Sequence, residues 1–168
     1  MHRFRLFACA AAVAAGVSLV ATVARADNNV TGQLTANRVT RTQGHESLAS
    51  AEQARPGETL EYRVVYRNDG AVEARNLAAT LPIPRGTTYV PGSASPARVE
   101  ASLDGSRFAV VPLTRVVRGA DGRNVVREVP VSEYRALRWS LGSLASRQTR
   151  AVSARVRIEP PEVAALTR

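Results

Sequence analysis

Glu58-Thr59-Leu60-Glu61-Tyr62-Arg63-Val64-Val65-Tyr66-Arg67 alternates strictly between two faces. Leu60, Tyr62, Val64 and Tyr66 share one side; Glu61, Arg63, Val65 and Arg67 share the other. A period of two with one apolar side marks an antiparallel strand that covers a core with one face and meets water with the other. Pro56-Gly57 turns the chain into this strand. Asn68-Asp69-Gly70 turns it out again, because Asn, Asp and Gly tolerate positive φ.

The same reading extends in both directions. Upstream, residues 27–57 are polar and turn-rich, with one short strand expected near Leu34–Thr42. Downstream, Val72–Leu81 places Leu77, Ala79 and Leu81 on a common face and stops at Pro82 and Pro84, since proline cannot donate to a ladder. Thr87–Val90 reads as a short strand closed by Pro91-Gly92. Arg98–Leu103 and Arg107–Val111 flank Asp104-Gly105 as a hairpin, and Val116-Val117 and Val125-Val126 flank Gly119-Ala120-Asp121-Gly122 as a second. Arg135–Leu141 turns Leu137, Trp139 and Leu141 inward. Thr149–Ile158 turns Val152, Ala154, Val156 and Ile158 inward, with Arg155 and Arg157 outward. No amphipathic helix pattern follows residue 26. Seven to nine short strands at this spacing predict an all-β chain, an immunoglobulin-like antiparallel β-sandwich.

The first residues carry a different signal. Arg3 and Arg5 precede an uncharged run of 19 residues, Leu6–Ala24, and Ala24-Arg25-Ala26 places small residues where a signal peptidase reads. An uncleaved anchor is the competing reading, but Ala drives insertion weakly, and Gly16 and Ser18 dilute the run. The expected organisation is a cleavable secretory signal peptide over 1–26, a flexible segment over 27–34, a sandwich domain over 35–159 and a C-terminal tail over 160–168. Export by the general secretory route to the periplasm or beyond follows, with no membrane span after cleavage.

Cleavage leaves 142 of the 168 residues, one domain's worth of chain. The single cysteine, Cys9, leaves with the leader. The mature part must therefore be held by packing alone, without disulfides, and has no thiol for catalysis or metal binding. There is no lysine, which excludes a Schiff-base nucleophile and a phosphate-gripping Walker lysine. The 20 arginines left after cleavage outnumber the 14 acidic residues, a mature charge of +6. A basic balance can signal an anionic partner. Here Arg63, Arg67, Arg75, Arg85, Arg98 and Arg107 are scattered, without a run or interleaved aromatics, so nucleic acid is not the expected partner.

Three segments in order carry a resemblance. They are Pro56–Tyr62 followed by Tyr66-Arg67-Asn68-Asp69-Gly70; Leu81-Pro82-Ile83-Pro84-Arg85-Gly86-Thr87-Thr88-Tyr89-Val90-Pro91-Gly92-Ser93; and Leu137-Arg138-Trp139-Ser140-Leu141-Gly142-Ser143-Leu144. Together they resemble the bacterial conserved-repeat domain, domain of unknown function 11, over roughly residues 35–158. Each has a structural reason: two turn the chain between strands or sheets, and Trp139 fills the space between sheets. Ala145-Ser146-Arg147-Gln148 departs from the family, which commonly places Pro-Gly or Ala-Gly before Gln. The family often occurs as tandem copies, whereas this chain has one, so a stalk built from repeats is not expected to carry over. The resemblance implies a sandwich fold and brings no catalytic residue with it.

The search for chemistry returns no catalytic, cofactor or metal site. His45, the only histidine after the leader, lies in a polar stretch without an orienting motif. Gly92-Ser93-Ala94-Ser95 is not a nucleophile elbow. Glu58 and Glu61 fall on opposite faces, and Glu100, Glu128 and Glu133 are most simply surface charge. Asn68-Asp69-Gly70, Asp104-Gly105 and Asp121-Gly122 offer oxygens to calcium, but turn geometry accounts for each. The expected function is a non-enzymatic exported envelope or secreted module with a structural or protein-interaction role. Its partner would be an envelope or extracellular protein that the sequence does not identify, docked through strand edges or loops. Outward arginines would limit unwanted edge pairing. The alternative is a periplasmic carbohydrate- or anionic-lipid-binding protein using arginines with Tyr62, Tyr66, Tyr89 and Tyr134. A hydrolase with an unrecognised site stands third and would require a convergent polar cleft.

Overall fold

The computed structural model describes residues 29–160, so the leader and the last residues of the expected tail lie outside it. The chain is all-β. Its strands are β1 (Val30–Thr42), β2 (His45–Ser50), β3 (Thr59–Asn68), β4 (Ala74–Pro82), β5 (Thr87–Tyr89), β6 (Glu100–Ser102), β7 (Ala109–Val110), β8 (Thr114–Arg118), β9 (Asn124–Glu128), β10 (Ala136–Leu144) and β11 (Thr149–Ile158). Two single 3₁₀ turns, Ala51–Gln53 and Val131–Glu133, interrupt them. One sheet has the order β2-β1-β3-β11-β5 and a second β4-β10-β6-β7; β8 and β9 pair only with each other. All these pairings are antiparallel.

The first two sheets bury their apolar faces against each other. Leu60 and Val64 of β3 and Val152, Ala154 and Val156 of β11 join Ala79 and Leu81 of β4, Ala101 of β6 and Leu137, Trp139 and Leu141 of β10 in one core. The register follows the alternation that the sequence displays: Leu60 stands opposite Val156, Tyr62 opposite Ala154 and Val64 opposite Val152. Trp139 is 2% exposed, and its Nε1 donates to the Pro96 carbonyl at 2.8 Å. The indole thus buries a large apolar area without losing its one polar bond.

Two polar side chains are as deeply placed. Asn68 is fully buried at the end of β3. Its Nδ2 donates to the carbonyls of Val72 (2.7 Å) and Leu144 (2.9 Å), and its Oδ1 accepts from the Gly70 amide (3.0 Å). Its backbone also binds the β10–β11 turn, accepting from Arg147 and donating to Gln148. Arg147 in that turn takes the left-handed conformation, at φ 63°. Tyr134 stacks on Tyr89 with ring centroids 6.4 Å apart, and its hydroxyl accepts from the Leu113 amide at 2.9 Å. Tyr134→Phe is expected to cost about 1–3 kcal/mol by orphaning that buried N–H. A lower denaturation midpoint with an unchanged m-value would check it.

Two expectations need correction. Eleven strands are present among the described residues, not seven to nine. The chain before residue 57 holds a full hairpin instead of one short strand, and β1 already begins at Val30, inside the segment expected to be flexible over 27–34. Val30 pairs with Asn68 and Leu34 with Val64, so this stretch belongs to the sheet. Most of β2 is exposed and carries no apolar period, so its sequence displays no alternation. The turn joining the two strands uses Gln43 and Gly44, both at positive φ, which suits a tight hairpin.

Candidate functional site

Most acidic side chains among the described residues pair with arginines. Arg155 bonds Glu61 at 3.1 Å and Glu46 at 3.0 Å, so β2, β3 and β11 are tied by charge on the outer face of the larger sheet. Partial burial works against the Arg155 charge, but its bonds to Glu61 and Glu46 outweigh that and raise its pKa. The hydrogen bonds from Arg41 and Arg155 hold the Glu46 carboxyl below its ordinary range. Glu58 binds Arg38, Glu100 binds Arg138 and Glu133 binds Arg115. Arg138 also lies 4.1 Å above the Phe108 ring. Of the three carboxylates read as surface charge, Glu100 lies on β6, Glu128 ends β9 opposite Thr114, and Glu133 sits in a 3₁₀ turn. They occupy three separate elements, and two of them are held by arginines.

The turn aspartates are committed to their turns. Asp104 Oδ1 accepts from the amides of Ser106 (2.8 Å) and Arg107 (2.9 Å) and from the hydroxyls of Ser102 and Ser106. Its Oδ2 accepts from Arg107 Nε at 2.9 Å. The backbone amides of Arg107 and Ser106, then their side chains, hold the Asp104 carboxyl far below the usual carboxylate range. A carboxyl whose folded pKa is depressed contributes stability above its unfolded pKa of about 4 and loses it as pH falls toward the folded value. The melting-temperature gap between wild type and Asp104→Asn is therefore expected to be widest at neutral pH and to shrink below about pH 4. A gap independent of pH would contradict this. Asp69 accepts from Thr31 and pairs with Arg67; Asp121 caps the amide of Arg123. Among the described residues no three His, Cys, Asp or Glu side chains converge as a metal site.

The remaining sequence candidates resolve individually. His45 opens β2 on the surface, opposite Thr42. Ser93 staples its loop: its hydroxyl donates to the Val90 carbonyl at 2.6 Å and accepts from the Arg155 amide at 2.9 Å. Tyr89 and Tyr134 are buried in the core, and Tyr62 and Tyr66 pack against it. Burial pushes the phenols of Tyr62, Tyr66 and Tyr89 up. The four tyrosines therefore do not form an exposed aromatic platform.

The region around β8 and β9 carries exposed apolar surface. Of the seven exposed large hydrophobics among the described residues, five fall between residues 103 and 126: Leu103, Val110, Val116, Val125 and Val126. Val116 and Val126, directly opposite each other on β8 and β9, are 63% and 65% exposed. The β8–β9 ribbon is rooted firmly. Leu113 and Val129, at its foot, are buried, and the Val129 amide donates to the Leu113 carbonyl at 2.8 Å. Arg115 grips both oxygens of Glu133, at 2.7 and 3.0 Å. Beyond that foot the arms pair only with each other, and a lone two-stranded ribbon is marginal in water.

Two open recesses flank this region and the sandwich end. One, of about 210 Å³, lies at the root of β8 and is lined chiefly by Leu103, Phe108, Ala109, Leu113 and Thr114. The other, of about 390 Å³, is lined by Arg85, Arg135, Thr87, Thr88, Ser132 and Glu159. No helix among the described residues is long and apolar enough to cross a membrane. Comparison of the chain with protein-family models, curated proteins and solved structures found no match.

Proposed function

We propose that this chain is a non-enzymatic, exported module of the cell envelope or the secreted fraction that works by binding another protein. The observation that carries the reading is the β8–β9 ribbon: a firmly rooted arm whose valines are left in water. Exposed β-branched surface on an unaccompanied ribbon costs free energy unless something covers it, and contiguous exposed apolar surface marks interaction sites. The arginine-bound carboxylates support a binding role over catalysis, since acid–base chemistry needs carboxyls free to exchange protons. Kinship with the conserved-repeat domain is part of the same proposal. Its support is that the motifs carrying the resemblance do structural work here, Asn68 at a turn and Trp139 between sheets.

The test is photo-crosslinking of the mature chain in envelope extracts, with the photoreactive residue at Val126 and, as a control, at Thr80 on β4. A discrete protein adduct from Val126 that is absent from Thr80 is expected. Equal labelling from both positions, or none from Val126, would overturn the reading. Cell fractionation with a mass of the mature form checks export and leader removal.

The second reading, a binder of anionic carbohydrate or lipid, now rests on the Arg85–Arg135 recess and not on the tyrosines. Sedimentation with anionic vesicles that is lost in Arg85→Ala would favour it.

A further inference from the structure

The hydrogen bonds at the two ends of the ribbon fix which way its backbone groups point. The Val129 amide bonds the Leu113 carbonyl, and the Gly119 amide bonds the Arg123 carbonyl at 2.7 Å. Bonded and non-bonded pairs alternate along an antiparallel ladder. The bonded pairs between these ends are therefore Arg115 with Arg127 and Val117 with Val125. Thr114, Val116 and Arg118 then aim their N–H and C=O groups away from β9, along the outer edge of β8. Among the described residues no strand pairs with that edge.

The charges on the ribbon are unbalanced. Arg115 and Arg127 stand directly opposite each other, an unfavourable cross-strand pair. Glu133 neutralises one of the two, and neither Arg118 nor Arg127 has a carboxylate within ion-pair distance among the described residues. The two edges differ. β9 ends in Glu128, whose backbone faces its outer edge, whereas β8 has no acidic residue from Thr114 to Arg118. The mainly apolar recess lined by Leu103, Phe108 and Leu113, together with the mutually paired Asp104 and Arg107, opens at the first residue of β8. A second copy of this chain would bring the same surplus of arginine to the edge.

We infer that the outer edge of β8 receives an extended segment of a partner protein in which acidic and apolar residues alternate. The segment adds as a third strand to the ribbon. Its backbone bonds Thr114, Val116 and Arg118, an apolar side chain covers Val116, the apolar one two residues along enters the recess beside Thr114 and Leu113, and the acidic side chains between them, on the other face, meet the Arg115–Arg127 pair. Strand addition of this kind takes affinity from the main chain and selectivity from alternate side chains. The inference rests on the interaction-module reading and names its edge and its partner's chemistry.

The experiment is fluorescence anisotropy of the mature chain with a labelled short peptide alternating Glu and Val, and with a control alternating Arg and Val. The acidic peptide is expected to bind and the basic one not. Val116→Pro removes an outward-facing amide without touching a β8–β9 bond, and is expected to weaken binding about tenfold or more. Val126→Pro, the equivalent change on the other edge, is expected to leave it within about twofold, and Arg127→Glu to weaken it about tenfold. A peptide N-methylated at alternate residues cannot complete the ladder and is expected not to bind the unmodified protein, a readout free of any folding defect in the variants. Equal binding of acidic and basic peptides, equal sensitivity at the two edges, retained binding of the methylated peptide, concentration-dependent self-association through β8, or absence of binding would each overturn the inference. If the peptide fails while Val126 still yields a discrete adduct, only the edge and the partner chemistry fall. If both fail, the module reading falls with them.

Discussion

Asn68→Ala is expected to lower the unfolding free energy by about 3–5 kcal/mol, from the summed cost of leaving several buried polar groups unpaired. One side chain satisfies the carbonyls of Val72 and Leu144 and the amide of Gly70. Alanine offers nothing to any of them, and the site is too enclosed for water to replace all three bonds at once. The side-chain bond to Leu144 also fastens β3 to β10, and the backbone bonds of Asn68 receive the turn into β11. The loss should therefore be cooperative, not a local fraying. Asn68→Asp isolates the chemistry from the shape. It keeps an acceptor for Gly70 but turns a second oxygen toward two carbonyls. It is expected to be at least as damaging as alanine at pH 8 and less so near pH 5, where a raised carboxyl pKa allows one donated bond to return. Chemical denaturation of the three forms checks this. A loss under about 1 kcal/mol for both variants would mean that the buried bonds are replaceable.

Trp139→Ala is expected to cost about 3–5 kcal/mol, the range for truncating a buried aromatic in a core that cannot fully collapse. The indole stands on β10, opposite Ala79, in the space between the two sheets. No intramolecular disulfide compensates for a hole there, because the sequence holds a single cysteine, Cys9. Trp139→Phe separates the two contributions. It retains most of the apolar area but leaves the Pro96 carbonyl without the indole donor, so an intermediate loss of about 1–2 kcal/mol is expected. Equal losses for Phe and Ala would place the whole effect in the hydrogen bond. No loss for Phe would place it all in packing.

Where alternation was strong, the sequence was a sufficient guide. Leu60, Val64, Trp139, Val152 and Val156 are in the core as their spacing requires. The hairpins around Asp104-Gly105 and Gly119–Gly122 are present because the turn residues there admit the needed backbone. The β1–β2 hairpin was only partly legible, since a strand whose side chains are mostly in water has no apolar period to display. The ribbon is the opposite case. Its valines announce strands, yet Val116 looks no different in sequence from Val152. Exposure is a property of what else packs nearby, and a pattern of residues within one segment does not contain it.

The amino-acid sequence by itself determined the all-β character, the identity of the principal core residues and the reliance on packing without disulfides. Each of these follows from local side-chain alternation and composition. Only the tertiary structure decided that carboxylates and arginines distant in sequence meet, that Asn68 unites three separate backbone segments, and that β8 and β9 stand apart from both sheets. Those facts depend on long-range juxtaposition, which arises when the two apolar faces close on each other and leave the ribbon outside.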